Sequence, residues 1–361
     1  MCRNRSVKEG APPLITGRCA TYGTQQSDEA IPAPESSLVT PADIVAAMRR
    51  LRSVAVETPL ISVVHRPTVL MKAEVLQQTG SFKFRGAYNA IASLTKDQRA
   101  HGVVAFSSGN HGLGIAGAAR LLDVEATVVM PENAPLIKRE GVLREGARLE
   151  LVEPSSVARE TLARRLAEEQ GLTVISGYDQ AEVIAGQGTI GFELMEQLRS
   201  FDIERGCVVF VPVGGGGLAS GVAVAMKALA PSIRIIGVEP ALAADARQSY
   251  YERRPIAWPA RDVNRTIADG QRLTTVGSYA LRHLLKHVDD MVTVEEDEII
   301  AAMQFAASTA HLTVEPSGAT SLAAALSMSS ADGYAVAILS GGNVDLGQYA
   351  KWVGRPSQVL A

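Results

Sequence analysis

The sequence predicts an α/β fold, with parallel sheets and helices on both faces. Two observations lead there. Between residues 103 and 175, short apolar runs alternate with helix-period segments, the pattern of strands joined by crossover helices. The alternation resumes at 191 and closes on a very apolar strand at 334–339. A length of 361 residues suits two domains or one large α/β unit, and is enough to bury a sizeable core.

Element by element, Thr40 reads as a helix N-cap with Pro41 in the first turn. A short strand follows at 69–73, then helical periodicity over 84–94. The βα run places strands at 103–106, 126–130, 148–152 and 173–175, with helices at 111–122, 135–145 and 156–169. These four strands suggest a compact small domain, 102–177. Residues 41–101 and 178–361 then form a larger one, with a helix at 191–199, a strand at 207–213, a helix at 218–229 and a strand at 233–238. Helices at 295–310 and 318–328 precede the last strand. Residues 1–40 are polar and aperiodic around 21–41 and read as a flexible leader.

Composition excludes several classes. A net charge of −3 offers no basic footprint for nucleic acid or an anionic membrane. No apolar run approaches membrane-spanning length. Cys2, Cys19 and Cys207 are scattered without ligand or disulfide spacing, which fits a reduced, cytoplasmic setting.

Four segments carry the chemistry. Lys83 lies between Phe82 and Phe84 at a helix start, where apolar flanks lower a lysine pKa by desolvation. The lone-lysine alternative is a solvated surface charge. Ser107-Ser108-Gly109-Asn110-His111-Gly112 sits at a strand-to-helix junction, where hydroxyls, an amide and N–H groups suit a carboxylate, or merely cap a helix. Gly214, Gly215, Gly216 and Gly217 also join a strand to a helix. Their bare backbone can cradle a phosphate, while the spacing fits neither a dinucleotide fingerprint nor a P-loop. Ser340-Gly341-Gly342-Asn343 offers a neutral hydroxyl at the end of the last strand. Together they describe a pocket for pyridoxal phosphate (PLP) held as a Schiff base on Lys83.

The ordered motifs SFKFRGA, SSGNHG, VIAGQGTI, VPVGGGG, TIADG, VEPSGA and LSGGNVD resemble the fold-type II PLP enzymes over about residues 45–350. Within them the chain is similar to the serine/threonine dehydratase and serine racemase group. That resemblance implies a tryptophan synthase β-like architecture, two open parallel-sheet α/β domains with the cofactor between them. It implies that Lys83 binds the cofactor, Asn110 bonds the ring hydroxyl, and Phe82 packs by the ring. Gly214 to Gly217 with the Leu218 backbone hold the phosphate, and Ser340 bonds the pyridine nitrogen. Ser107, Ser108, Asn110 and His111 lie where a substrate carboxylate binds. Glu239, the Ala243 carbonyl and Asp245 match a divalent-cation loop, and oxygen ligands suit Mg²⁺ or Ca²⁺.

The implied activity is β-elimination of a β-hydroxy amino acid, such as L-threonine or L-serine, to a 2-oxo acid and ammonia. Racemisation is the rival, because Ser108 matches a racemase acid/base. Tyr178 points instead to the dehydratase branch, and a dual-function enzyme, or a lyase for threo-3-hydroxyaspartate or another bulkier β-hydroxy acid, accommodates both. A non-catalytic ligand sensor is the alternative from another class. The chain ends about 16 residues after Asp345, so isoleucine feedback through an extra C-terminal domain is not expected. The family also implies a homodimer.

Overall fold

The computed structural model describes residues 37–107, 109–201, 203, 206–328 and 333–354. The chain opens with α1 (Pro41–Leu51), β1 (Leu60–Val63), β2 (Arg66–Lys72), α2 (Lys83–Ser93) and α3 (Lys96–His101). Next come β3 (Val103–Phe106), α4 (Asn110–Leu122), β4 (Ala126–Pro131), α5 (Leu136–Arg144), β5 (Arg148–Val152), α6 (Ser156–Gln170) and β6 (Thr173–Val174). Then follow α7 (Ala181–Ser200), β7 (Cys207–Pro212), α8 (Gly217–Leu229), β8 (Arg234–Pro240), α9 (Asp245–Glu252), α10 (Ala260–Val263) and α11 (Ser278–His287). The last elements are β9 (Asp290–Val294), α12 (Glu296–Phe305), α13 (Pro316–Ser327), β10 (Tyr334–Ile338) and α14 (Leu346–Val353).

Two sheets result. The larger runs β1-β2-β10-β7-β8-β9, parallel except for the antiparallel edge strand β1. The smaller runs β5-β4-β3-β6 and is entirely parallel. Alternation along β10 shows why helices flank both faces. Val336 and Ile338 enter the core shared with Leu194, Leu198, Val222 and Met226 of α7 and α8. Ala335, Ala337 and Leu339 enter the opposite core, with Ile299, Met303 and Leu322 of α12 and α13. The smaller sheet buries Val103, Ala105, Val128 and Met130 against α2 and α4, so the helix that begins at Lys83 is anchored to this sheet.

Three sequence expectations need correction. The helix expected at 191–199 starts ten residues earlier, at Ala181. Gly186, Gly188 and Gly191 lower its intrinsic propensity, but each meets a neighbour too close for a side chain: Arg85 O, Ile44 and Ala225. Close packing against α2, α1 and α8 overrides propensity here. The helix expected over 295–310 ends as α-helix at Phe305 and finishes in a π turn over Ala306–Ala310. Val39, assigned to the leader, is buried, and its N–H donates to Nε2 of His283 at 2.9 Å.

A buried ion network stands beneath the Lys83 turn. The Arg85 guanidinium, 1% exposed, bonds both oxygens of Glu74 at 2.8 and 2.9 Å and both oxygens of Glu193 at 2.6 and 2.8 Å. Lys72 joins at Glu193, 2.9 Å away. Removing one partner from such a network strands a buried charge. Glu74→Ala should therefore cost about 3–5 kcal/mol in urea unfolding at neutral pH. Burial pushes the Glu74 pKa up, but Arg85 outweighs it and holds the carboxyl below its ordinary value. The Glu74 contribution is therefore full above the ordinary carboxylate range and lost as pH falls through the lowered pKa, so wild type and variant should converge in acid.

Candidate active site

The C-terminal ends of β3, β6, β7 and β10 run into four loops that meet around Lys83. Crevices at this edge of a parallel sheet are where α/β proteins bind ligands. The Lys83 loop is stitched to the Ser340 loop by two backbone bonds, Phe82 N to Ser340 O at 3.0 Å and Gly342 N to Gly80 O at 2.9 Å, just beyond the β2–β10 ladder, which Leu339 N extends to Lys72 O at 2.9 Å. Ahead of it, Thr79 adopts φ +59 and Gly80 φ +70. A β-branched residue in the left-handed region is strained, and such strain collects at functional loops.

Lys83 opens α2. Its Nζ donates to the Gly177 carbonyl at 2.6 Å and stands 5.1 Å from the centre of the Phe82 ring. Among the described residues no carboxylate pairs with it, and burial of the amine lowers its pKa to about 8. His111, 6% exposed, donates from Nε2 to Ile175 O at 3.0 Å, while its Nδ1 is buried without a partner among the described residues. Burial first, then the charge of Lys83, pushes its pKa down to about 3. Two basic groups, both pressed toward neutrality, thus share one enclosed space.

Tyr178 follows the Gly177 carbonyl and connects Lys83 to the glycine loop. A Cβ on Gly215 would overlap the Tyr178 ring, and one on Gly217 would stand 2.7 Å from Tyr178 O. Gly216 has φ +91. The glycines are thus required by Tyr178 packing and backbone conformation as well as by any phosphate. The N–H groups of Gly217, Leu218 and Ala219 in the first turn of α8 have no acceptor among the described residues. Burial pushes the Tyr178 phenol up to about 12.

The Ser107 loop differs from the simple cap reading. Gly109, not a serine, is the N-cap of α4, and Ser107 Oγ accepts from Gly109 N at 3.0 Å. Ser108 lies outside the described residues. Asn110 donates from Nδ2 to Glu315 Oε1 and accepts at Oδ1 from Asn343 Nδ2 at 3.0 Å. Glu315 also lies 3.6 Å from Lys138 Nζ, which bonds Asp269 at 2.6 Å. Burial raises the Glu315 pKa against the pull of Lys138. Burial also works against the Lys138 charge, but Glu315 and Asp269 outweigh it and raise its pKa.

Lys138, Asp269, Glu315 and the contacts of Asn343 are functional-site features that periodicity and local motif chemistry do not by themselves announce. Asp269 and Glu315 stand inside the quoted TIADG and VEPSGA motifs, and a charged residue in each was an available signal. Lys138 sits in an ordinary charged helix and had none.

Glu239 and Asp245 are both buried, at the end of β8 and the start of α9. Glu239 accepts from Ala246 N at 3.1 Å and Arg247 N at 2.6 Å, so it also caps α9. Asp245 Oδ2 has no partner among the described residues. Burial raises the pKa of both, and Asp245 adds to the rise at Glu239.

The buried atoms Ser81 Oγ and His111 Nδ1, without a hydrogen-bond partner among the described residues, the open N–H groups of α8 and the Lys83 amine, which no described carboxylate pairs, fit a bound group with phosphate, polar ring substituents and an aldehyde. His111 carries a testable consequence. Its folded pKa lies below the ordinary histidine value, so its stability contribution is full above about 6.5 and is lost as pH falls toward about 3. Stability should decline by up to about 1.4 kcal/mol per pH unit from this group alone. His111→Asn should flatten that decline in denaturant unfolding measured across the acid range.

Comparison with known proteins agrees with the geometry. The family model described as pyridoxal-phosphate dependent enzyme matches residues 38–341. The L-threo-3-hydroxyaspartate ammonia-lyase of Saccharomyces cerevisiae is 42% identical over 78% of this chain and 85% of its own. The serine racemase of Arabidopsis thaliana is 43% identical over 78% of this chain and 84% of its own. The solved structure of the processed form of threonine deaminase isoform 2 from Solanum lycopersicum superposes with a TM-score of 0.79 at 35% identity, covering 87% of this chain and 92% of that one. With the two parallel sheets, the enclosed lysine and these matches together, the chain belongs to the fold-type II pyridoxal-phosphate dependent enzymes, in the group of ammonia-lyases and racemases.

Proposed function

We propose that the protein eliminates water from a β-hydroxy amino acid such as L-threonine or L-serine, and that hydrolysis of the resulting enamine takes the water back up, giving a 2-oxo acid and ammonia. The observation that carries this reading is the Lys83 amine, enclosed, unpaired with any described carboxylate and depressed to a pKa of about 8. Such an amine is both nucleophile enough to hold an aldehyde and base enough to take a proton near neutral pH.

When bound, pyridoxal phosphate supplies a conjugated ring that makes the α-proton of a joined amino acid acidic. Lys83 Nζ would hold the cofactor and, once displaced by substrate, take the α-proton. The N–H groups from Gly214 to Leu218 would hold the phosphate, with the dipole of α8 behind them. Ser340 would face the ring nitrogen, Asn110 the ring hydroxyl, and Phe82 the ring itself. Ser107, Ser108, Asn110 and His111, at the start of α4, would hold the substrate carboxylate. His111 would take part through its backbone N–H, since its ring Nε2–H is engaged by Ile175 O and its neutral Nδ1 carries only a lone pair; that neutrality leaves Lys83 uncrowded by a second cation. The α-proton and β-hydroxide leave as water, and the resulting enamine hydrolyses to the 2-oxo acid and ammonia.

A second reading, hydroxyaspartate lyase, is favoured by the likeness to the yeast enzyme of that name. Racemisation is the third, and needs Ser108 as an acid/base on the face opposite Lys83. We also assign Glu239, the Ala243 carbonyl and Asp245 to a divalent cation. The support is a pair of buried carboxylates with raised pKa values and an unpartnered Asp245 oxygen, a cost that Mg²⁺ or Ca²⁺ would relieve.

Purified protein with PLP and Mg²⁺ should convert one of L-serine, L-threonine or threo-3-hydroxyaspartate mainly to 2-oxo acid, and Lys83→Ala should abolish turnover. Predominant D-amino acid would move the assignment to racemase, and full activity of the Lys83 variant would sink the mechanism. A chelator should lower the thermal midpoint by a few degrees, and Asp245→Ala should erase that response. An unchanged midpoint on chelation would remove the cation from the reading.

A further inference from the structure

Asn343 ends the LSGGN motif, and the functional reading gives it no part. Its Nδ2 donates to Thr79 O at 2.8 Å and to Asn110 Oδ1 at 3.0 Å. One side-chain amide therefore joins the Lys83 loop, the start of α4 and the loop after β10. Gly80 makes room for it, since a Cβ there would stand 2.5 Å from Asn343 Oδ1.

The atom assignment follows from chemistry. A backbone carbonyl can only accept, so the Asn343 atom facing Thr79 O must be the nitrogen. That nitrogen carries two N–H groups. The second points at Asn110, so the Asn110 atom it meets must be the acceptor oxygen. Asn110 is then left with Nδ2 on its other side, where Glu315 Oε1 takes one N–H. One N–H remains for a ligand. Glu315 as acceptor and Asn343 as donor thus orient the Asn110 amide from its two ends, and without Asn343 the Asn110 oxygen loses the one donor it has among the described residues.

We propose that Asn343 is a positioning residue, which orients the Asn110 amide so that an N–H, not a lone pair, faces the ring oxygen of the cofactor. The proposal rests on the reading of Asn110 as the ring-oxygen contact. A donor there stabilises the anionic ring oxygen. Taking it away leaves that oxygen more basic, so the proton shared beside it is held to higher pH.

The test compares Asn343→Asp, Asn343→Ala and Asn110→Ala, alone and with each Asn343 variant combined with Asn110→Ala. Cofactor-free protein is titrated with pyridoxal phosphate, and the visible absorbance of the bound cofactor is followed against pH. The titratable groups on the network, Glu315, Lys138 and Asp269, stay in place in every variant. Asn343→Asp puts a carboxylate oxygen where the donor stood. It should raise the pH midpoint by about one unit and weaken cofactor binding about tenfold. Asn343→Ala should shift both in the same direction by less, and it carries the test if the Asp variant does not fold. In the Asn110→Ala background neither substitution should move the midpoint further. A shift that persists in that background, or parental behaviour of both Asn343 single variants, overturns the proposal. An unshifted Asn110→Ala would instead overturn the reading of Asn110 on which it stands.

Discussion

Arg85 lies two residues beyond Lys83, with a full positive charge sealed between Glu74 and Glu193. Each of its bonds reaches a different part of the fold. Glu74 follows β2, Glu193 lies on α7, and the backbone of Val56 accepts a further N–H at 3.1 Å. Burial opposes the charge, yet the two carboxylates raise its pKa above the ordinary value. Two cations and two carboxylates balance in this network once Lys72 is counted. A guanidinium fork fixes direction as well as charge. The first turn of α2 is therefore held by ionic bonds beneath it, and the Lys83 side chain is free of any described carboxylate above it.

That separation explains the electrostatics of the pocket. Charge is concentrated below the lysine turn and in the Lys138, Asp269 and Glu315 triad beside Asn110. Lys83 and His111 are pressed toward neutrality by burial. Polar groups facing the space are neutral donors and acceptors: the Gly177 carbonyl, the Asn110 amide, and the open N–H groups of α8. Such a lining can orient an anionic cofactor and a zwitterionic substrate while leaving the lysine amine available as a base.

Much of this was legible in the chain. Alternating apolar runs specified parallel sheets, and β10, with Ala, Val and Ile on both faces, could only be an interior strand. Lys83, the glycine loop and the Ser107 to His111 junction were each visible, because residue type and a strand-to-helix position coincide. The first turns of α7 were not visible, because their glycines, Gly186 and Gly188, answer to neighbours distant in sequence, Arg85 and Ile44. The same holds for Lys138, whose helix looks solvated until Asp269 and Glu315 are brought against it.

The sequence by itself determined the alternation of the central strands and helices, though not elements such as β1, α11 and β9, and it marked Lys83 with the small and polar groups proposed to face a cofactor. Periodicity, turn glycines and local chemistry act over a few residues, and such signals survive in one dimension. Tertiary structure alone decided that Gly177 O holds the amine, that His111 is neutral, and that Asn343 reaches both Thr79 and Asn110. Desolvation and hydrogen-bond direction are set by atoms 94 residues away at Gly177 and 264 at Thr79. No local pattern carries that information, because pKa and amide orientation depend on what surrounds a side chain in space.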